Sequence, residues 1–239
     1  MQTTSKLRRL GDWMEEARFP NRAVWYTWKM IICLGIVGIV SICYFNASKY
    51  TAHRHYDLST AIDHAIPFVR WTWWIYFPGY LCGLVFCVCA FRNTEKFYKV
   101  SLAIVIAQSI CTIGFFLLPS TFPRPIDAGP GITGEALRWF WTIDPPNNTF
   151  PSKHVCIMTL AAIGLWIDDD NWLKWIGSLF WLGVVITVHT TKQHYLVDAF
   201  AGVSVAFFSY WLVFHWHAKR KAARVREPGD GPLEKTARA

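Results

Sequence analysis

The chain has 239 residues, of which 53% are hydrophobic and 17% aromatic, with 17% charged and a formal net charge of +8. That balance excludes an ordinary soluble domain and places the chain among proteins that use lipid as solvent. The basic residues lie beside apolar runs and form no continuous stripe, which excludes a nucleic-acid footprint and points to anionic headgroups.

Residues 10–27 read as an interfacial amphipathic helix, with Trp13, Met14 and Phe19 toward lipid. The first apolar run begins late and has no small-residue cleavage pattern, so a signal peptide is not expected. Six apolar stretches follow, at roughly 28–45, 71–90, 100–118, 152–167, 172–189 and 195–214. Most approach the ~20 residues that a helix needs to cross a bilayer. The fold expected is therefore all-α, a polytopic membrane helical bundle with six transmembrane helices. It occupies 28–214, preceded by a cytoplasmic or interfacial segment (1–27) and followed by a basic cytoplasmic tail (215–239).

Tryptophans gather at the ends of the runs (Trp25, Trp28; Trp71, Trp73, Trp74; Trp172, Trp175), as interfacial anchors do. Counted over alternate loops, one side carries seventeen Lys and Arg and the other seven. The richer side is expected to be cytoplasmic and to hold both termini. The seven cysteines fall in or beside apolar runs and read as reduced packing residues. The Asp168-Asp169-Asp170 run reads as a solvated turn, and His53, His55 and His64 as solvated or interfacial side chains whose spacing is too loose for a metal site.

Three polar segments, separated by whole helices, share the basic-poor side. The first, Leu118-Pro-Ser-Thr-Phe-Pro-Arg124-Pro125, aims one guanidinium from a proline-framed loop, and the planar fork of Arg suits a phosphate. The second runs from Asp144 through Asn148 to Pro151-Ser152-Lys153-His154 and into the fourth helix. Its start offers free backbone N–H groups, a hydroxyl, an ammonium and an imidazole to an anion. The third, His189-Thr-Thr-Lys192-Gln-His194-Tyr195-Leu-Val-Asp198, sets His194 and Asp198 four apart on one helical face. A carboxylate inside a membrane helix is costly and usually functional. Taken singly, each segment has a plainer reading: an Arg greeting lipid headgroups, a His capping a helix, a structural His-Asp hydrogen bond.

Together the segments resemble the type 2 phosphatidic acid phosphatase superfamily, whose pattern is K-x6-R-P, P-S-G-H and S-R-x5-H-x3-D. Arg124-Pro125, Pro151-Ser152-Lys153-His154 and His194-x3-Asp198 match it in order and spacing. Three positions depart: Leu117 stands where the pattern has Lys, Lys153 where it has Gly, and Thr187-Val188 where it has Ser-Arg. The surrounding residues look closer to the branch containing inositol phosphorylceramide synthases.

The resemblance implies a lipid phosphatase in which His194 is the nucleophile, Asp198 its orienter and His154 the acid, with no metal or cofactor. Arg124, Lys153, Ser152 and Lys192 would form the phosphate pocket, with Lys153 and Lys192 replacing the missing cations. Asp144, Asn148 and Tyr195 would touch the headgroup. The partners implied are a phosphorylated membrane lipid and the bilayer, and no nucleic acid. The site would lie on the periplasmic or extracellular face, most simply of a bacterial inner membrane. Two alternatives stay open: a phosphotransferase that uses an alcohol acceptor, and a non-catalytic lipid carrier or flippase.

Overall fold

The computed structural model describes residues 22–51, 53, 56–168 and 172–226. Most of the interfacial segment expected over 10–27, and the end of the basic tail, lie outside these residues. Residues 22–27 do not belong to a separate element: they are the opening turns of the first helix.

Eight helices are described: α1 (Arg22–Thr51), α2 (Ala61–Ala65), α3 (Trp73–Ala90), α4 (Thr94–Leu117), α5 (Gly131–Ile143), α6 (Lys153–Ile167), α7 (Lys174–Thr190) and α8 (Leu196–Arg226). A single 3-10 turn, Arg70–Thr72, leads into α3. No strand occurs among the described residues; two isolated bridges, Tyr56 with Ser120 and Thr121 with Asn147, join loops.

The six apolar stretches correspond to α1, α3, α4, α6, α7 and α8. By length and composition, four helices can cross a membrane: Ala23–Thr51, Arg70–Ala90, Thr94–Leu117 and Leu196–His215. α6 has only 15 residues, short of the ~20 that hydrocarbon requires. Its position accounts for its composition, because α6 is the hub of the bundle, packed against α3, α4, α7 and α8. Val155 to Ala162 are buried without interruption, so every face of this helix meets protein and the residues read as uniformly apolar.

At the end of the bundle away from the site, polar side chains tie helix ends together. The Lys29 ammonium donates to the carbonyls of Cys89 (3.2 Å) and Phe91 (2.9 Å), which end α3. A cation at a helix C-terminus satisfies carbonyls that the helix leaves open. Asp168 is not part of a solvated turn. It is buried, and its carboxylate accepts from the backbone N–H groups of Arg92 (2.8 Å) and Asn93 (3.0 Å) at the start of α4. Residues 169–171 lie outside the described ones. All seven cysteines are free, with Cys87, Cys111 and Cys156 buried in the helix contacts.

α5 was not expected from the sequence. Its 13 residues place Leu137 and Phe140 on one buried face, against Trp73 and Tyr76 of α3. It roofs the bundle beside the loops that carry the polar segments.

Candidate functional site

Three loops meet at one end of the bundle: 118–125 after α4, 144–152 before α6, and 191–195 between α7 and α8. Ser120 is fully buried and braces the first two, its hydroxyl 2.7 Å from that of Thr149 and accepting from the Phe150 N–H at 2.9 Å. The Phe122 N–H donates to the Pro146 carbonyl at 3.0 Å. α1 closes the fourth side. Ser48 donates to Asn147 Oδ1 and Thr51 to Asn148 Oδ1, both at 2.7 Å.

The 191–195 loop is shaped by the end of α7. Lys192 adopts φ 55°, the left-handed conformation that closes many helices. The Lys192 N–H donates to His189 O, and the Gln193 N–H reaches back to Val188 O at 2.9 Å. This 6→1 and 5→2 pair is a Schellman motif, usually built on glycine. Here a lysine occupies the left-handed position, and its ammonium holds the carbonyls of Asp63 (2.8 Å) and Ile66. The Asp63 carboxylate in turn accepts from the Leu196 N–H at 2.7 Å, and from the backbone and hydroxyl of Thr60. Burial pushes the Asp63 pKa up, but these hydrogen bonds outweigh it and hold the group below the ordinary carboxylate value.

His194 is thereby delivered into the bundle end, buried beside α6. Its Nδ1 lies 2.9 Å from the Thr149 carbonyl and 3.5 Å from Asp198 Oδ2. A carbonyl only accepts, so Nδ1 carries the proton and Nε2 keeps its lone pair. The orienting contact expected from Asp198 is thus shared, with the Thr149 carbonyl the nearer partner. Asp198 also accepts from the Tyr195 N–H at 2.9 Å, which caps α8, and its own carbonyl receives the Ser152 N–H at 2.9 Å. α6 and α8 come this close because residue 202 is glycine: a Cβ there would stand 2.5 Å from the Ser152 carbonyl.

The His154 ring faces that of His194, centroids 5.9 Å apart. Tyr76 and Tyr80 flank it edge-on, and the Tyr76 hydroxyl sits 3.3 Å from Nδ1. The two imidazoles line a small cavity together with Tyr44, Arg124, Asp144, Asn148, Lys153 and Gln193. Arg124 bridges the cavity wall, donating from Nη1 to Gln193 and from Nη2 to the Asp144 carbonyl (2.8 Å) and carboxylate (3.4 Å). The Lys153 ammonium lies 3.1 Å from the centre of the Tyr44 ring, whose hydroxyl donates to Asp144 at 2.9 Å. Two buried donors on this wall, Arg124 Nε and Asn148 Nδ2, have no hydrogen-bond partner among the described residues.

Of the residues singled out in the sequence, Arg124, Asp144, Asn148, Lys153, His154 and His194 surround one cavity, with Asp198 immediately behind His194. Three others lie outside it. The ammonium of Lys192 is held by the carbonyls of Asp63 and Ile66, away from the cavity. The hydroxyl of Ser152 accepts from the Val155 N–H (3.4 Å) as the N-cap of α6. Tyr195 stacks on Phe122 at 4.3 Å, its hydroxyl donating to the Thr121 carbonyl at 3.0 Å. Sequence reasoning missed Gln193, Tyr44 and Thr149. Gln193 stands between two singled-out residues and could have been flagged. Thr149 acts through its carbonyl, which no side-chain pattern reveals. His64 is exposed, 3.1 Å from the Ser59 hydroxyl, while His55 lies outside the described residues.

The family model described as the PAP2 superfamily matches residues 54–212. The chain belongs to the PAP2 superfamily. Membership supports a phosphatase- or phosphotransferase-type lipid enzyme and, with the apolar helices, an integral membrane protein. No curated protein matches the chain. The PAP2 match covers all three loops of the cavity but leaves out α1, which supplies Tyr44, Ser48 and Thr51.

Proposed function

We propose that this PAP2 protein is a membrane lipid phosphatase that works through a phosphohistidine on His194. The observation that carries the reading is the cavity wall. Arg124 Nε and Asn148 Nδ2 are buried donors without partners among the described residues, and both residues line the cavity that Lys153, at the first turn of α6, and the two histidines also line. Buried donors left unmatched are expensive, and a phosphate would satisfy them at the helix end that attracts anions. Asp144 must yield part of Arg124 when phosphate enters.

In the first step the lone pair of His194 Nε2 forms a bond to phosphorus while the bond to the lipid oxygen breaks. His154 gives that oxygen its proton, and the alcohol leaves. The Thr149 carbonyl keeps Nδ1 protonated, and the Asp198 carboxylate stabilises the positive charge that the ring acquires. In the second step water attacks phosphorus, His154 takes its proton, and the His194–phosphorus bond breaks to release phosphate. Six helices crossing the bilayer, over 28–214, would put the site on the face opposite the basic loops. α6, the shortest of the six, lies where protein surrounds it from Val155 to Ala162, whereas α7, with 17 residues, keeps an exposed apolar side at Leu179, Leu182 and Ile186.

Purified protein should release inorganic phosphate from a panel of phosphorylated lipids, and His194→Ala should abolish both release and an acid-labile phosphoenzyme. Turnover retained in that variant would refute the assignment. A second reading, transfer to an alcohol acceptor as in the inositol phosphorylceramide synthase branch, is favoured by Asp144. Hydrolysis has no need of a carboxylate on the phosphate wall, whereas an acceptor hydroxyl could be held by it. Labelled donor lipid incubated with candidate alcohols separates the two by where the label appears.

A further inference from the structure

Behind His154 the site opens into apolar space. A cavity of about 260 Å³ between α1, α3 and α5 is lined by Tyr44, Asp144, Lys153 and His154, all of which also line the site, and continues over Phe77 and Tyr80 to Val40 and Ile157. There it adjoins a second, narrower cavity of about 50 Å³, bounded by α1, α3, α4 and α6, which shares Val37, Val40 and Ile157 and runs on to Cys33 and Phe91. Its walls are almost wholly apolar. On α1 the residues concerned are Cys33, Val37, Val40 and Tyr44. Their spacing of four, three and four puts them on one helical face. Leu34, Ile39 and Ile42 are exposed on the remaining faces. At 1.5 Å per residue, the stripe from Cys33 to Tyr44 is roughly 16 Å long.

We propose that this passage holds one hydrocarbon tail of the substrate, threaded from the headgroup at Lys153 and His154 along α1 to Cys33. The proposal rests on the phosphate reading of the site. The occupant follows from continuity: beyond the site the passage is lined by apolar side chains apart from Ser41 and Ser101, and it begins at the groups that would hold the phosphate. A tail attached to that phosphate is the ligand whose first methylenes must lie there. The inner cavity, at about 50 Å³, has no room for two chains side by side, so a lipid with one long chain, or one chain of a two-chain lipid, is the class that fits. α1, which builds one wall, is the helix that the PAP2 match leaves out.

Two measurements test the tail passage. With monomeric alkyl phosphates from butyl to dodecyl, kcat/KM should climb with chain length by up to about fourfold per methylene that enters apolar surroundings. In Val40→Trp, which fills the junction of the two cavities, the dodecyl-to-butyl ratio should fall about tenfold or more. An unchanged ratio in a variant that still releases phosphate would overturn the tail passage and leave the phosphatase reading intact. Absence of release from every ester in the unmodified protein would instead refute the phosphatase reading.

The second measurement needs neither turnover nor a substitution. A single-chain phosphate lipid carrying a diazirine near its methyl end should, on illumination, mark Cys33 or Ile157. Adducts confined to the outward residues Leu34, Ile39 and Ile42 would mean that the tail stays in the bilayer, and would overturn the proposal.

Discussion

Lys153 and Lys192 are equivalent candidates on paper, each one residue or two from a site histidine, yet only one ammonium reaches the cavity. Lys153→Met should raise KM for a lipid phosphate about tenfold or more, the usual worth of a charge-assisted hydrogen bond. Lys192→Gly should leave KM within about twofold, because its ammonium serves Asp63 and Ile66. Glycine suits the left-handed position better by about 1 kcal/mol, but two charge-assisted bonds are lost, so a lower melting temperature is expected. A rise in KM matching that of Lys153→Met would show that Lys192 swings to the phosphate during turnover. Asp144 makes a converse case. Its carboxylate occupies Arg124 and repels an incoming dianion, so Asp144→Asn should tighten inhibition by vanadate, read as a lower inhibition constant.

The turn between α7 and α8 has to hold His194 to within fractions of an ångström, and it is fastened from outside by α2. Asp63 joins three segments: Thr60, Leu196 and, through its carbonyl, Lys192. Because its folded pKa lies below the ordinary carboxylate value, the stability it confers is complete above the unfolded value of about 4 and is lost as pH falls through the lowered one. Asp63→Asn should therefore melt below the unmodified protein at neutral pH, and the gap should close under acid conditions; a gap independent of pH would refute the ionic account. The approach of α6 to α8 is a second element-scale constraint. Gly202→Ala places a methyl group against the Ser152 carbonyl, so the helices must separate at an overpacking cost of about 1–3 kcal/mol. Activity should fall more than stability, since the same displacement moves Ser152 and Asp198 relative to His194.

Across the whole molecule, what the sequence revealed divides by the range of the interactions involved. The six apolar runs were legible because lipid-facing and hub helices both demand continuous apolar residues. The three site loops were legible because titratable groups are rare in such chains. α5 was hidden because its 13 residues are too few for a membrane span and lie between two proline-rich loops, 119–130 and 145–151. The positions of Lys192, Ser152 and Tyr195 were hidden because hydrogen bonds to distant carbonyls and N–H groups decide them. That Asp168 is buried depended on α4 beginning beside it.

The proposed topology has its own test. A membrane-impermeant thiol reagent should label Asp127→Cys in intact cells, and Trp172→Cys only after permeabilisation, in a background without the native cysteines; the reverse pattern would invert the orientation.

α1 is pinned at both ends, by Lys29 on the carbonyls that finish α3 and by Ser48 and Thr51 on the loop before α6. Between these anchors it borders mostly apolar space. The two fastenings lie outside the proposed tail passage, which runs along the stretch from Cys33 to Tyr44. A substitution inside that stretch should therefore alter the preference for tail length while the loop before α6, and the two imidazoles behind it, keep their positions.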